Sequence, residues 1–374
     1  MEILIWRCCA GLCVAIWIYL FAFRGAFWRL RERLSHSTNG EDRPLIAVVI
    51  PARDEAAVIA RTISTLQVQR KVRLHITVAD DESSDDTGAA AMAAGADNVV
   101  RVTPRPQGWK GKLWALQQGI EAIPAEAEFI LFLDADIAFY RDSVVARMLA
   151  VSRRGFDLVS VMAHLRCQSP AEQMLIPAFV YFFFKLYPPR WVAKKGGIAA
   201  AAGGCMLIRR QAFEKLGGMA SYRDALIDDC ALAKQVKTSG GRIWLGMSGG
   251  DVFSTRGYET AGVIRAMIAR SAFTQLGHSS AMLAGAVLGM VVTYLLPVAL
   301  MFSHDIYSAG AGLAVWLLST VMYLPTVRIF GAPSWSAMFL PGIALYYVIA
   351  TVESALNYWR GRGGEWKGRI QDAL

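Results

Sequence analysis

Phe129-Ile130-Leu131-Phe132-Leu133-Asp134-Ala135-Asp136 is an apolar run that ends on two carboxylates one residue apart. A short greasy run bounded by polar residues reads as a buried parallel strand. Asp134 and Asp136 then stand at its carboxyl end, the edge where open α/β sheets bind ligands. Two acids separated by one residue project to the same side of an extended backbone. Their hard oxygens suit Mg²⁺ or Mn²⁺ carrying a phosphorylated substrate. Taken alone, the stretch is explained equally well as an Asp-rich turn capping the next helix.

The surrounding sequence favours a sheet edge. From Leu45 to Ala163 short apolar runs alternate with amphipathic stretches, the pattern of an α/β domain with a Rossmann-like, mostly parallel sheet flanked by helices. Strands are expected at Ile46 to Ile50, Leu74 to Ala79, Val99 to Val102, Phe129 to Leu133 and Leu158 to Ala163, with helices starting near Glu55, Thr87, Lys112 and Ser143. The first strand runs into Pro51-Ala52-Arg53-Asp54-Glu55 and the second into Asp80-Asp81-Glu82-Ser83-Ser84-Asp85. Acidic ends of neighbouring parallel strands meet along one edge. Only Arg53 is legible there as an internal counter-charge, so a bound cation is expected to relieve the repulsion. Three independent helix caps are the structural alternative.

No dinucleotide fingerprint follows the first strand and no Walker-type loop occurs. Gly108-Trp109-Lys110-Gly111-Lys112, at a helix entry, offers two lysines and a helix N-terminus to a diphosphate, or is an ordinary basic turn. Downstream, Asp228-Asp229 reads either as acids favoured by a helix dipole or as a source of a general base. Gly203-Gly204-Cys205 precedes an apolar run; its missing side chains either admit a substrate to the backbone or make a turn before a strand.

Composition separates this part from the rest. The 374 residues are 55% hydrophobic, with a mean hydropathy of +0.35. Ile3 to Phe23, Ala281 to Phe302, Ile306 to Val327 and Trp335 to Val352 are nearly free of charge and approach the roughly 20 residues that cross a bilayer. Arg24, Arg29, Arg31 and Arg33 follow the first stretch and orient the following segment to the cytoplasm. Three later spans would put the basic residues Arg360, Arg362, Lys367 and Arg369 outside, against the same rule. Either one stretch is re-entrant or the tail departs from the bias, and the weakest span is the last, broken by Pro341 and Gly342. Met174 to Pro188 is too short to span comfortably and contains Pro177 and Lys185, which suits an interfacial segment better than a span and leaves a core helix as the alternative. The net charge of +9 lies largely beside the apolar stretches, so lipid headgroups rather than nucleic acid are the expected partner. The six cysteines have no zinc or disulfide spacing.

Taken in order, the strand-end motifs resemble the family 2 glycosyltransferases of the GT-A fold, over roughly residues 45 to 245. The resemblance implies that Pro51, Arg53, Glu55, Asp80 and Asp81 line the pocket for the base and ribose of a nucleotide sugar. It implies that Asp134 contacts the nucleotide, that Asp134 and Asp136 serve the metal, and that Lys112 lies near the diphosphate. Asp228 and Asp229 fall where the family has a Glu-Asp pair whose second member is the base, so Asp228 is a departure that keeps the charge. Gly203 and Gly204 fall beside the acceptor. Met267-Ile268-Ala269-Arg270-Ser271 stands where processive synthases have Gln-x-x-Arg-Trp; Arg270 is kept, toward the diphosphate or as an interfacial anchor, while Gln and Trp are lost. Gly108 to Leu116, Leu226 to Ala233 and Trp366-Lys367-Gly368-Arg369 are similar to the hopene-associated glycosyltransferases, and the general layout to the ceramide-type glucosyltransferases.

The expected plan is an anchor at 1–25, a cytoplasmic catalytic domain at 45–260, an interfacial segment at 261–280, membrane helices at 281–356 and a basic tail at 357–374. The expected protein sits in the bacterial inner membrane and transfers sugar from a nucleotide-diphosphate sugar to a lipid, using Mg²⁺ or Mn²⁺. A polysaccharide synthase and a non-catalytic nucleotide-sugar-binding membrane protein are the other readings.

Overall fold

Apolar runs flanked by helices become strands, and among the described residues nine strands fall in Arg31–Arg166 and Pro189–Gly257, one of the chain's two units. They are β1 Leu45–Ala52, β2 Arg73–Asp80, β3 Asn98–Arg101, β4 Phe129–Leu133, β5 Ile137–Phe139, β6 Leu158–Met162, β7 Cys205–Arg209, β8 Ile243–Met247 and β9 Val252–Ser254. The computed structural model describes residues 1–35, 43–366 and 369–372, with side chains for 1–35 and 43–363. The motif Trp366-Lys367-Gly368-Arg369 therefore falls partly outside the described residues, and its side chains wholly so.

Seven strands form one sheet in the order β3-β2-β1-β4-β7-β6-β8. β3, β2, β1 and β4 are parallel, β6 and β8 are parallel to each other, and β7 runs antiparallel between β4 and β6. All five residues of β4 are buried, which is why the sequence there is continuously apolar rather than alternating. The five expected strands agree with β1, β2, β3, β4 and β6 to within two residues, and the helices after them begin at Ala56, Thr87, Gly111 and Val144.

Two features of this unit were not read from the sequence. The register that pairs Leu133 with Cys205 makes β7 begin where β4 ends, bringing Gly203 and Gly204 to the acidic edge. β5 and β9 make a separate two-stranded antiparallel sheet, with Ile137 opposite Ser254, just beyond Asp136.

Near the start of this unit, the segment before β1 is tied down by Arg147, whose helix Val144–Arg153 buries it to 2% exposure. Its Nε and Nη2 donate to the carbonyls of Ser35 and Leu34 at 2.6 and 2.8 Å, and its Nη1 meets Asp251 at 2.5 Å. A buried guanidinium is tolerated because each edge of the fork has an acceptor.

The other unit comprises Met1–Leu30, Cys167–Pro188 and Tyr258–Leu374. Among the described residues it contains four helices long and apolar enough to cross a membrane: Glu2–Phe23, Ser280–Leu300, Ile306–Ile329 and Ser334–Trp359. Some polar groups among them are paired, while the buried Tyr323, Thr326 and Ser336 hydroxyls have no hydrogen-bond partner among the described residues. Trp17 Nε1 donates to the Thr293 carbonyl at 2.8 Å, and Arg7 grips both carboxylate oxygens of Asp305. Pro341 does not break the last helix. It occupies the first turn of Leu340–Trp359, after a 3₁₀ segment Ser334–Phe339, where its missing N–H would have had no partner in any case.

The stretch from Met174 is part of a packed helix, Pro170–Leu186, opened by a capping box in which Ser169 and Glu172 exchange hydrogen bonds. Leu175, Ile176, Ala178, Val180, Tyr181 and Phe184 are buried. Within the same unit Tyr347 donates to the Leu175 carbonyl at 2.9 Å, and the Phe182 ring meets Tyr294 and Tyr347 edge-on. The alternative of a core helix thus describes this segment within its unit.

Replacing Arg147 with Ala leaves Asp251 and two carbonyls without their buried donor and is expected to cost about 3 kcal/mol. Thermal unfolding in detergent measures this, and Arg147→Lys should recover only part because an ammonium cannot reach all three acceptors.

Candidate active site

The acidic edge is assembled from the ends of three adjacent strands, β2, β1 and β4. Two of its loops are laced together. The Asp81 amide donates to the Ala52 carbonyl at 2.8 Å, and Asp54 Oδ1 accepts from the Ser84 amide and hydroxyl at 2.7 and 2.9 Å. Arg53 Nη1 donates to the Asp81 carbonyl at 2.7 Å and lies 3.5 Å from its carboxylate. Asp80 turns back to accept the Ser83 amide at 3.0 Å. Asp54 and Glu82 hold left-handed backbone, φ 50° and 53°, a conformation that costs on the order of 1 kcal/mol in a non-glycine residue. This cross-linking maintains it.

Lys112 lies in the first turn of the helix Gly111–Glu121. Its ammonium sits between Asp134 Oδ1 at 2.9 Å and Asp228 Oδ2 at 3.1 Å. Burial disfavours the charge, but attraction to Asp134 and then Asp228 outweighs it and holds the pKa above the ordinary lysine value. Lys112 is therefore the permanent cation of the edge. Pro51, Lys112, Leu133, Asp134, Gly203 and Asp228 line one small cleft.

Asp228 and Asp229 open the helix Asp228–Thr238, so the reading as acids in a first helical turn is correct as far as it goes. It does not exhaust them. Asp229 Oδ1 accepts its neighbour Cys230's amide at 2.6 Å. Desolvation first, and the Asp228 charge second, push the Asp229 carboxyl up to about 7 against the opposing pull of Lys112. The helix start thus supports one carboxylate while burial makes the other a proton acceptor poised near neutrality.

Gly203 explains how Asp229 gets this close. A Cβ at 203 would lie 3.0 Å from Asp229 Oδ2 and 3.2 Å from its Cβ. Gly204 passes its carbonyl to the Asp134 amide at 3.0 Å, and a Cβ there would press on Ile137 at 3.2 Å. Cys205 is buried, and burial raises its thiol well above the ordinary range, so it has no reactive role here. All six cysteines are free.

The expectation that the edge has no internal counter-charge beyond Arg53 is corrected by Lys112 and by a residue the sequence did not single out, Arg256. Arg256 Nε donates to Asp136 Oδ2 at 3.1 Å and its Nη2 to Glu55 Oε1 at 2.6 Å. It follows β9, whose Ser254 hydroxyl donates to the same Asp136 oxygen at 2.8 Å. A lone Arg after a three-residue strand carries no motif. Its position depends on β9 pairing with β5.

Pro51, Arg53, Glu55, Asp80, Asp81, Lys112, Asp134, Asp136, Gly203, Gly204, Asp228 and Asp229 all belong to this one unit. Arg270 does not. It follows the helix Ala261–Ala269 in the other unit, exposed.

Among the described residues no group of three His, Cys, Asp or Glu side chains forms a ready metal cage. The edge nevertheless suits a divalent ion that brings other ligands with it. Lys112 engages Oδ1 of Asp134, while Ser254 and Arg256 engage Oδ2 of Asp136. The second oxygen of each carboxylate is left without a protein donor among the described residues. One or two carboxylates completed by substrate phosphates and water is the usual arrangement for Mg²⁺.

Comparison with known proteins agrees with this architecture. Residues 47–217 match the model of the family described as Glycosyl transferase family 2. It is 30% identical over 119 residues to the 4,4'-diaponeurosporenoate glycosyltransferase of Staphylococcus aureus strain MRSA252, a match of 32% of this chain and 31% of that protein. The chain thus spans about a third of the length of the curated relatives it matches. Among solved structures, the mannosyltransferase PcManGT from Pyrobaculum calidifontis, in complex with GDP-Man and Mn²⁺, superposes with a TM-score of 0.52 at 17% identity. The superposition covers 92% of this chain and 98% of that one, and shows a shared fold.

Two measurements check the site's electrostatics. Asp229 holds a proton in the folded chain that the unfolded chain releases near pH 4, so its ionisation weakens the fold progressively from about pH 4 to about pH 7. Asp229→Asn should therefore raise the melting temperature of the metal-free protein at pH 8, with the gain fading toward pH 4. Gly203→Ala should displace the Asp229 carboxylate and, in the transfer reaction proposed for this site, lower the rate by at least about tenfold, seen as a fall in kcat with the donor KM little changed.

Proposed function

We propose that this chain is a membrane-bound, inverting glycosyltransferase that moves a sugar from a nucleotide-diphosphate sugar to a hydroxyl of a membrane lipid. The observation that carries the reading is the Lys112 ammonium shared between Asp134 and Asp228, with Asp229 beside it. One cation joins the acids assigned to the donor to those assigned to the acceptor.

Arg53, Glu55, Asp80 and Asp81, with Pro51, receive the base and ribose, in loops held by the hydrogen bonds described above. Lys112 and the first turn of its helix attract the diphosphate. Asp134 and Asp136 would hold Mg²⁺ or Mn²⁺, which when bound supplies charge neutralisation to the departing diphosphate. Asp229 takes the proton of the acceptor hydroxyl as its oxygen bonds to the anomeric carbon, and the electron pair of the broken bond leaves with the diphosphate. Direct attack of this kind inverts the anomeric centre. Gly203 and Gly204 leave room for the acceptor.

A lipid acceptor is supported by the four apolar helices and by a relative whose name gives 4,4'-diaponeurosporenoate as what it acts on. The divalent metal is supported by the two unspent carboxylate oxygens and by the Mn²⁺ in the mannosyltransferase of similar fold. In this proposal residues 1–25 are an anchor, 45–260 the catalytic domain on the cytoplasmic face of a bacterial inner membrane, 261–280 an interfacial segment, 281–356 the membrane helices and 357–374 a basic tail. A hopanoid-associated acceptor is supported by the runs Gly108 to Leu116 and Leu226 to Ala233.

Asp229→Asn is expected to lower transfer by at least about 100-fold while nucleotide binding persists, and full activity in that variant would overturn the base assignment. Lipid extracts from cells with and without the protein, compared by mass, should differ by a glycosylated lipid. A new sugar product confined to the aqueous or polymeric fraction would overturn the lipid acceptor.

A further inference from the structure

Arg256 sits at the place where the proposed donor site needs charge control. Glu55 and Asp136 come from the ends of different strands, β1 and β4, and are 9% and 8% exposed. Two carboxylates so withdrawn from water call for a counter-charge. A single guanidinium serves both, at 2.6 and 3.1 Å.

The arrangement is built, not incidental. The Arg256 amide donates to Ser254 Oγ at 3.2 Å, and the Ser254 hydroxyl donates to Asp136 Oδ2. The Thr255 amide and hydroxyl both donate to the Asp136 carbonyl, at 2.8 and 3.0 Å. Three consecutive residues therefore grip Asp136, and the last of them brings a positive charge. Asp136 Oδ2 is spent on Ser254 and Arg256, while Oδ1 has no protein donor among the described residues.

We infer that Arg256 is a resident counter-ion that weakens cation binding at Asp136 until a diphosphate arrives. This rests on the proposed donor site. A divalent ion approaching Asp136 Oδ1 meets a guanidinium already bound to the other oxygen of the same carboxylate, and like charges a few ångströms apart in a poorly solvated site repel strongly. The anionic diphosphate offsets that repulsion by adding negative charge and ligand oxygens. Cation and nucleotide binding are then coupled, each strengthening the other to the same degree. Glu55 carries the coupling to the base-and-ribose side of the site, because the same guanidinium holds it.

The test is Mn²⁺ titration of the full chain in detergent, with free ion followed by electron paramagnetic resonance, alone and with GDP or UDP. Arg256→Gln should tighten binding of Mn²⁺ alone by about tenfold or more and shrink the further tightening by nucleotide. Adding Asp136→Asn to that variant should remove the gain. Arg256→Lys, which keeps the charge, should stay near wild type. If Glu55 left uncompensated prevents folding, the double variant Glu55→Gln with Arg256→Gln removes both charges and should show the same tightening. Mn²⁺ binding to the neutral variants no tighter than wild type, with Asp136→Asn alone weakening it, would overturn the counter-ion role and leave the metal assignment standing. No Mn²⁺ binding to any form, even with GDP and UDP, would overturn both.

Discussion

Three neighbouring parallel strands that end on acids create a charge problem at one edge of the sheet, and much of the site's geometry answers it. Arg53 joins the β1 and β2 ends, Lys112 joins Asp134 to Asp228, and Arg256 joins Glu55 to Asp136. In each case one cation holds groups from two chain segments that are distant in sequence. Burial makes these pairings specific, since a carboxylate that loses its cation here has little water to turn to. The acids therefore order the loops as well as offering sites to a substrate.

Antiparallel β7 extends the same edge to Gly203, Gly204 and Asp229. Its pairing with β4 sets the Gly203-Gly204 backbone against Asp134, and the absent side chain at 203 admits the helix that begins at Asp228. Asp229 is then drawn out of water beside a second acid, and its proton affinity rises accordingly. A helix N-terminus by itself would lower the pKa of an aspartate. Here desolvation and the Asp228 charge outweigh the pull of Lys112 and of the Cys230 amide.

A different constraint governs the unit with the apolar helices. Where water is scarce, a polar side chain is stabilised by a partner within the protein, and the pairs Trp17 with Thr293, Arg7 with Asp305 and Tyr347 with Leu175 supply one, whereas the buried Tyr323, Thr326 and Ser336 hydroxyls have none among the described residues. Length and composition were enough to locate these helices. Their internal detail was less accessible: Pro341 looked like an interruption and is a helix start, because only the preceding 3₁₀ turn fixes where the α-helix begins.

The sequence by itself determined the parallel half of the sheet, the four apolar helices and the acids of the edge, because periodicity and strand-end chemistry are local properties of the chain. Phe129 to Asp136 shows this well, since its apolar run and its acids needed no outside information. Only the tertiary structure decided what neutralises those acids. Lys112 was legible as a lysine at a helix entry, yet its bridge from Asp134 to Asp228 depends on a helix, a strand end and a second helix meeting at one point. Arg256 was not legible at all. Its role exists because β9, more than a hundred residues further along the chain, pairs with β5 and delivers a guanidinium to Asp136. Charge compensation acts through space, so its partners are fixed by topology and register rather than by spacing in the sequence.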